Sequence, residues 1–426
     1  MTKEHVHELL PGGLEFGLVR LPERHVVSFQ IRVLAGTTAE PAQKLGLARL
    51  VEDTIDKGTQ QRSAQELSDV FDTIGAGRNS GTGRETTTYT CTVLPQHFEQ
   101  AVALHAEFLK TPTFPDDMCA TNVELARQEL IALDDDPHGL VDKYIGRQAF
   151  GPVLGRHPIG EPETIAGIAR DDLEDYWRRH YRPGRMIVAV AGPLEPQQVR
   201  DVLGRHLDGP AGAPRDGREP TPAEFAAHTR HYDKELEQEH IGICWPGVDA
   251  THDDFPIQQV VLGILSGGMS GRLFTEVREK RGLVYWVSAW HETPRGIGMM
   301  FLGASTTSQR CDQTYDTLLR EVDRLAEDIE PDELDRAKTG IIAQKDTRGD
   351  LTRARCTELA NDLFFFGRPV PLGEKVAKIE AVTNDDIRRY LSENPRDALC
   401  VVTLGPRPLT DAAAVTPRSE EIGTRS

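Results

Sequence analysis

Three residues of the stretch GLARLVEDTIDKGT, residues 46–59, stand where they could act together: Arg49, Glu52 and Asp53. They lie at i, i+3 and i+4, so on a helix they share one stripe. Leu47, Leu50, Val51 and Ile55 recur at helical spacing and form another stripe, suited to burial. The stretch therefore predicts a short, half-buried helix that closes in a Gly-Thr turn. Two chemistries suit its polar stripe. The carboxylates could frame a metal site, or Arg49 and Asp53 could form an ion pair that helps solvate the helix.

The elements that must position this stripe can be read from patterning. Strands are expected at 14–21, 25–36, 86–94, 240–247 and 296–305, and helices at 95–111, 119–136 and 311–329. The chain also repeats itself. IAGIARDDLEDY at 165–176 matches IEAVTNDDIRRY at 379–390, with Ile165, Asp171, Asp172 and Tyr176 answering Ile379, Asp385, Asp386 and Tyr390. An apolar strand follows each copy, MIVAVAGPL and ALCVVTLGP. HPIGE at 157–161 and VPLGE at 370–374 add to the likeness, and the run points to two duplicated halves. Between them, LDGPAGAPRDGREPTPAEF is rich in Gly, Pro and charge and reads as a linker. The expected organisation is 1–207, a linker at 208–226, 227–410, and a disordered tail at 411–426. Hairpin-like strands followed by long helices predict α+β halves, each a largely antiparallel sheet packed with helices.

Composition limits the function classes. The 426 residues carry 49 Lys and Arg against 67 Asp and Glu, a net charge of −18. This argues against a nucleic-acid or anionic-membrane partner, since no basic patch could dominate the field. The mean hydropathy is −0.43, and no apolar run reaches the length of a membrane span. The N-terminus lacks the apolar core of a signal peptide. Six scattered cysteines without CxxC spacing read as free thiols of a reducing cytoplasm. His5 and His7 alternate near an end expected to be mobile and form no metal pair by themselves. YWRRHYRPGR at 176–185 is basic with aromatics, but it falls at the helix-to-strand junction of the repeat.

With these halves in place, the sequence resembles the insulinase/pitrilysin family of zinc peptidases over nearly its whole length, from LPGGLEFGLVRLPERHVVSFQIRVLAGTTAEP to ALCVVTLGP. In that family the first half carries H-x-x-E-H on a helix that runs into a KGT turn. Two His ligate zinc, and the Glu acts as base on the bound water. Here RLVED occupies that place, followed by Lys57, Gly58 and Thr59. Glu52 falls on the base, Glu129 of NVELARQEL on the third ligand, and Asn122 on an earlier acidic position. Both His positions are replaced, by Arg49 and Asp53. Arginine offers no lone pair, so it cannot ligate zinc. Arg49 is expected to fill the metal's space and bridge Asp53 and Glu129 or Glu52. The resemblance extends to GGMSGRLFTEVREKRGLVYWVSA, where the family uses an Arg and a Tyr seven residues apart to hold and polarise substrate. They match Arg278 and Tyr285. A guanidinium fork can hold a carbonyl or carboxylate, and a phenol can donate to a developing oxyanion. The polar stretch NSGTGRETTTYT at 79–90 matches a family edge strand on which substrate can add; plain edge protection explains it equally.

The resemblance implies a catalytically incomplete member, of the kind found as the non-catalytic alpha subunit of mitochondrial processing peptidase and as the Arg/Tyr-bearing subunit of bacterial unlike pairs. No metal or cofactor is expected on this chain. Zinc is expected in a homologous partner with an intact H-x-x-E-H, with a peptide or leader peptide as substrate and no nucleic-acid or membrane partner. Alone, the chain is expected to be inactive and cytoplasmic. The alternatives are a non-enzymatic scaffold or peptide-binding protein of the same fold, and a peptidase with an unusual metal held by Glu52, Asp53 and Glu129.

Overall fold

Strand pairing divides the chain into two sheets. The structure, a computed structural model, describes residues 5–410 and resolves two compact units. Of the described residues, the first is built from 5–133, Arg156–Thr221 and Ala343–Lys375. The second is built from Asp134–Gly155, Pro222–Ile342 and 376–410. The first sheet contains β1 (His5–Leu9), β2 (Glu15–Arg20), β3 (Val27–Val33), β4 (Gly77–Thr82), β5 (Thr87–Val93) and β6 (Met186–Gly192). Its order is β1-β2-β6-β3-β5-β4, antiparallel except for the β2–β6 pair. The second contains β7 (Thr229–Asp233), β8 (Glu239–Gly247), β9 (Val284–Glu292), β10 (Gly298–Thr306) and β11 (Cys400–Gly405). Its order is β7-β11-β8-β10-β9, again with one parallel pair, β7–β11. Strand for strand, the second sheet repeats the first from β2 onward. This is the α+β architecture of two homologous halves that patterning predicts.

The repeated segment explains itself physically. Asp172 accepts from the Ala169 amide at 2.8 Å and Asp386 from the Thr383 amide at 2.9 Å, so each caps the start of its helix. Tyr176 and Tyr390 are buried with their hydroxyls satisfied, by Gly36 O at 3.0 Å and Gln258 Oε1 at 2.7 Å. The strand that follows each copy, β6 or β11, is fully buried.

Each unit takes one helix from the other half of the sequence. Thr352–Phe366 lies on β2, β3 and β6 of the first sheet, where Cys356, Leu359, Ala360 and Leu363 close a small second core. Pro137–Leu154 lies on β8 and β11 of the second sheet. The approach is close: a Cβ on Gly242 of β8 would stand 2.8 Å from Val141 Cγ1. The expected linker contacts the first sheet. Glu15 on β2 is buried and pairs with Arg215 at 2.7 Å and Arg218 at 2.6 Å.

Two local expectations are corrected. The stretch with His5 and His7, expected as a frayed end, has regular structure. It is strand β1, and His7 Nε2 meets Glu15 at 2.8 Å. The polar stretch 79–90 is not one strand. It is the tip of a hairpin, because β4 ends at Thr82 and β5 begins at Thr87. β4 is an exposed sheet edge. The tail at 411–426 lies outside the described residues. All six cysteines are buried free thiols. Among the described residues no helix is long and apolar enough to cross a membrane.

Candidate functional site

The motif helix of the first unit runs Leu47–Thr54. Leu47, Leu50, Val51 and Ile55 enter the first core and fix the helix face. Its N-terminus is capped from outside the run. Glu40 Oε1 accepts from the amides of Gly46 at 3.1 Å and Ala48 at 2.8 Å. Burial pushes the Glu40 carboxyl up to about 8, and the two amides oppose that rise. Gly46 makes the turn with φ +94°, and a Cβ there would stand 2.4 Å from Ile165 Cδ1.

The polar stripe of this helix divides. Arg49 reaches Glu129 of the helix Asp116–Asp134, with Nη2 at 2.9 and 3.0 Å from the two carboxylate oxygens. Its Nε stands 3.4 Å from Asp53 Oδ2. The guanidinium therefore lies between two carboxylates. Glu52 is buried and turns to β4, where it accepts from Thr82 Oγ1 at 3.1 Å. Burial, with Glu52 beside it, pushes Asp53 up to about 6, against the pull of Arg49. Asn122 is buried and donates to Asp53 O at 3.1 Å and Thr54 Oγ1 at 2.9 Å, stitching the two helices together.

The second unit holds Arg278 and Tyr285. Arg278 lies in Leu273–Glu279, a seven-residue π-helical segment. Leu273 and Val277 anchor the segment in the core, and buried Arg272 ties its start to Glu333 at 2.7 Å and Asp328 at 3.2 Å. Glu276 is held by Lys280 and Arg281, each at 2.7 Å. Arg278 is left with rings: its guanidinium carbon is 4.9 Å from the Phe274 centroid and 5.3 Å from that of Tyr285. Among the described residues no carboxylate pairs with it. Tyr285 is 76 % exposed. It sits on edge strand β9 at a bulge, where Trp286 pairs with Ser305 and Val284 with Thr306, leaving Tyr285 as the extra residue. Such a bulge re-aims a side chain away from the ladder.

Two family models match the chain. That for insulinase, peptidase family M16, covers residues 17–160, and that for the peptidase M16 inactive domain covers residues 167–341. This chain belongs to peptidase family M16. An uncharacterized zinc protease of Streptomyces coelicolor is 29 % identical over 395 residues, with 89 % of this chain and 84 % of that protein covered. One of Bacillus subtilis is 26 % identical over 372 residues, with coverage of 87 % and 90 %. The fold is shared with the crystal structure of a peptidase M16 inactive domain from Pseudomonas fluorescens, at TM-score 0.84, 21 % identity and coverage of 95 % and 98 %. It is shared too with a protease from Helicobacter pylori, at TM-score 0.86, 19 % identity and coverage of 96 % and 100 %. The insulinase match spans the motif helix, and the inactive-domain match spans Arg278 and Tyr285.

The donor set on the M16 motif helix does not fit a zinc ion. Arg49 has no lone pair to give. Its guanidinium already engages the carboxylates of Glu129 and Asp53. Glu52 is aimed at Thr82. Among the described residues no group of three or more His, Cys, Asp or Glu is placed to hold a metal.

Sequence reasoning missed two parts of these sites. Glu40 caps the motif helix from six residues before Gly46, a distance no capping pattern covers. The bulge at Tyr285 depends on the register between β9 and β10, which has no local signal.

Proposed function

We propose that this chain is the zinc-free, substrate-binding subunit of a heterodimeric metallopeptidase that cleaves peptides or leader peptides in the cytoplasm. The observation that carries the reading is Arg49, whose guanidinium bridges Asp53 and Glu129 where the family would place a metal. A homologous partner with an intact H-x-x-E-H supplies zinc, its ligands and the general base. This chain supplies Arg278 and Tyr285. Arg278 offers its fork to a substrate carbonyl or carboxylate, and Tyr285 donates one hydrogen bond to the oxyanion that forms as the peptide bond is attacked. Such donors need only point at the reacting carbonyl, whichever chain carries the metal. The exposure of Tyr285 and the lack of an ion pair on Arg278 support this role.

The test is reconstitution. Alone, the chain should carry no stoichiometric zinc by elemental analysis and cleave no peptide. Mixed with a homologue bearing H-x-x-E-H from the same genome, it should form a complex by gel filtration and raise peptide turnover. One zinc per chain surviving dialysis against a weak chelator would overturn the zinc-free reading. An intact complex whose turnover ignores Arg278 and Tyr285 would favour the scaffold instead.

A further inference from the structure

The second unit contains a cleft that the peptidase reading leaves unused. It has a volume of about 600 Å³ and lies between the helix Pro137–Leu154, the segment around Glu224 and strand β7. The helix contributes Tyr144, Arg147 and Gln148, and β7 contributes Arg230 and Tyr232. The volume falls within the range of small-molecule sites.

Its most telling atom is buried. Gln148 is only 9 % exposed, and its carbonyl Oε1 accepts from Cys400 Sγ at 2.9 Å. In this arrangement the oxygen end of the amide faces the thiol. The Nε2 end is left a donor, and it has no protein acceptor. An unmet buried donor is costly, and Gln148 is one of the residues that line this cleft. The walls have matching chemistry. Tyr144 and Tyr232 stack with centroids 3.9 Å apart and planes 10° apart, and Arg230 lies over Tyr232 at 4.9 Å. Arg147 brings a second guanidinium, and Glu224 is the one acid of the lining. In a chain of net charge −18, this is a locally cationic hollow.

The cleft is also held in shape. The helix is interrupted at Gly151, with φ +79°, where a Cβ would stand 2.6 Å from Glu224 Cβ. The Glu224 amide donates to Phe150 O at 3.3 Å, and the Val401 amide donates to His228 O at 2.9 Å. The segment that closes the cleft is thus tied to both the helix and β11.

We propose that this cleft binds a monocarboxylate carried on an aromatic or apolar body, either a free organic acid or the C-terminal residue of a peptide. The buried amide donor and the planar guanidinium forks fit a carboxylate. Glu224 disfavours a doubly charged phosphate, and the stacked tyrosines give the body a flat wall.

Calorimetric titration of the full chain tests it. The probes are N-acetylphenylalanine, the peptide Ala-Ala-Ala-Phe and the amide of each. Free acids should bind saturably, and amides at least about tenfold more weakly. Binding of both acids assigns the site to the carboxylate and ring alone; binding of the peptide only assigns it to a peptide terminus. Gln148→Glu keeps the acceptor for Cys400 and replaces the donor, so affinity should fall about tenfold or more. Arg230→Gln, at an exposed position, should do the same and serves if the buried change disturbs folding. Arg278→Ala should leave this binding unchanged. The proposal is overturned if neither acid saturates below about 10 mM, if the amides bind equally, if Arg230→Gln has no effect, or if Arg278→Ala abolishes the signal. The proposal is independent of the zinc-free reading.

Discussion

Two arginines face opposite situations in two copies of one sheet plan. Arg49, in the first unit, is matched by carboxylates on both sides, Glu129 at 2.9 Å and Asp53 at 3.4 Å. Arg278, in the second, lies against the faces of Phe274 and Tyr285 and pairs with no carboxylate among the described residues. A guanidinium set between two carboxylates already has partners for its charge. One resting on rings keeps its in-plane donors for something else. The proposed function turns on this difference: it assigns a substrate-facing role to Arg278 and none to Arg49.

The largest expected effect lies on the Arg278 side. On the proposed reading, Tyr285→Phe in a reconstituted complex would remove one donor to the oxyanion and little else. Turnover should fall roughly 100- to 1000-fold, about 2.7–4 kcal/mol of transition-state stabilisation. Arg278→Ala should raise KM as well, because a fork of donors and a charge are lost. Thermal unfolding of the chain should not move, since Tyr285 is 76 % exposed. A lowered melting temperature with normal turnover would place both residues in the fold.

Next comes Glu40, which belongs to the Arg49 side. Its carboxyl rises from 4.5 to about 8, chiefly through burial. The folded form therefore holds a proton that the unfolded form has released. Its contribution to stability is present below about 4.5 and is lost as pH rises through about 8. Glu40→Gln keeps an oxygen for the Gly46 and Ala48 amides and removes the charge. At pH 8 it should stabilise the fold by about 2 kcal/mol, and at pH 4 it should change little. Chemical denaturation at the two pH values checks this. Equal effects at both would show that the carboxylate is ionised throughout, held by its two amides.

Arg49→Leu should have a smaller effect. The three charged side chains are each about a third or more exposed, 30 % for Arg49, 37 % for Asp53 and 46 % for Glu129. Solvent screens them, so the loss should be about 1 kcal/mol. The sharper readout is Asp53. Its carboxyl, at about 6 in the intact protein, should climb further once the guanidinium is gone. A carboxyl-detected NMR titration measures it. No change would mean that Arg49 does not act on Asp53.

The comparison also shows what the sequence could reveal. Period and repeat were enough for the motif helix, its apolar stripe and the paired strands β6 and β11, because those depend on neighbours a few residues away. Arg49, Glu52, Asp53 and Glu129 were visible as a set, but their geometry was not. Only the structure shows Glu52 turned to Thr82 and Arg49 turned to Glu129. The placement of Pro137–Leu154 and Thr352–Phe366 on sheets of the opposite halves left no trace in the pattern. An amphipathic helix declares that it must bury a face, not against which sheet. The Gln148 donor was equally hidden, since its meaning depends on Cys400, 252 residues away.

The smallest expected effect compares the two copies of the repeat most directly. Ala169 and Thr383 precede equivalent helices with nearly the same backbone, φ −115° and ψ 166° against φ −114° and ψ 167°. Thr383 Oγ1 accepts from the Asp386 amide at 3.2 Å, completing a reciprocal cap. Ala169 has no side-chain oxygen, so the first copy holds only the Asp172 half of that cap. The extended conformation that a capping threonine needs is already in place at 169, so little strain opposes the change. Ala169→Thr should therefore stabilise the chain by about 0.5–1 kcal/mol, and Thr383→Ala should cost about as much. Equilibrium denaturation of the two variants measures both. Opposite shifts of similar size would show that the two helix starts are interchangeable. A neutral Ala169→Thr beside a costly Thr383→Ala would show that the first copy satisfies its helix start by other means.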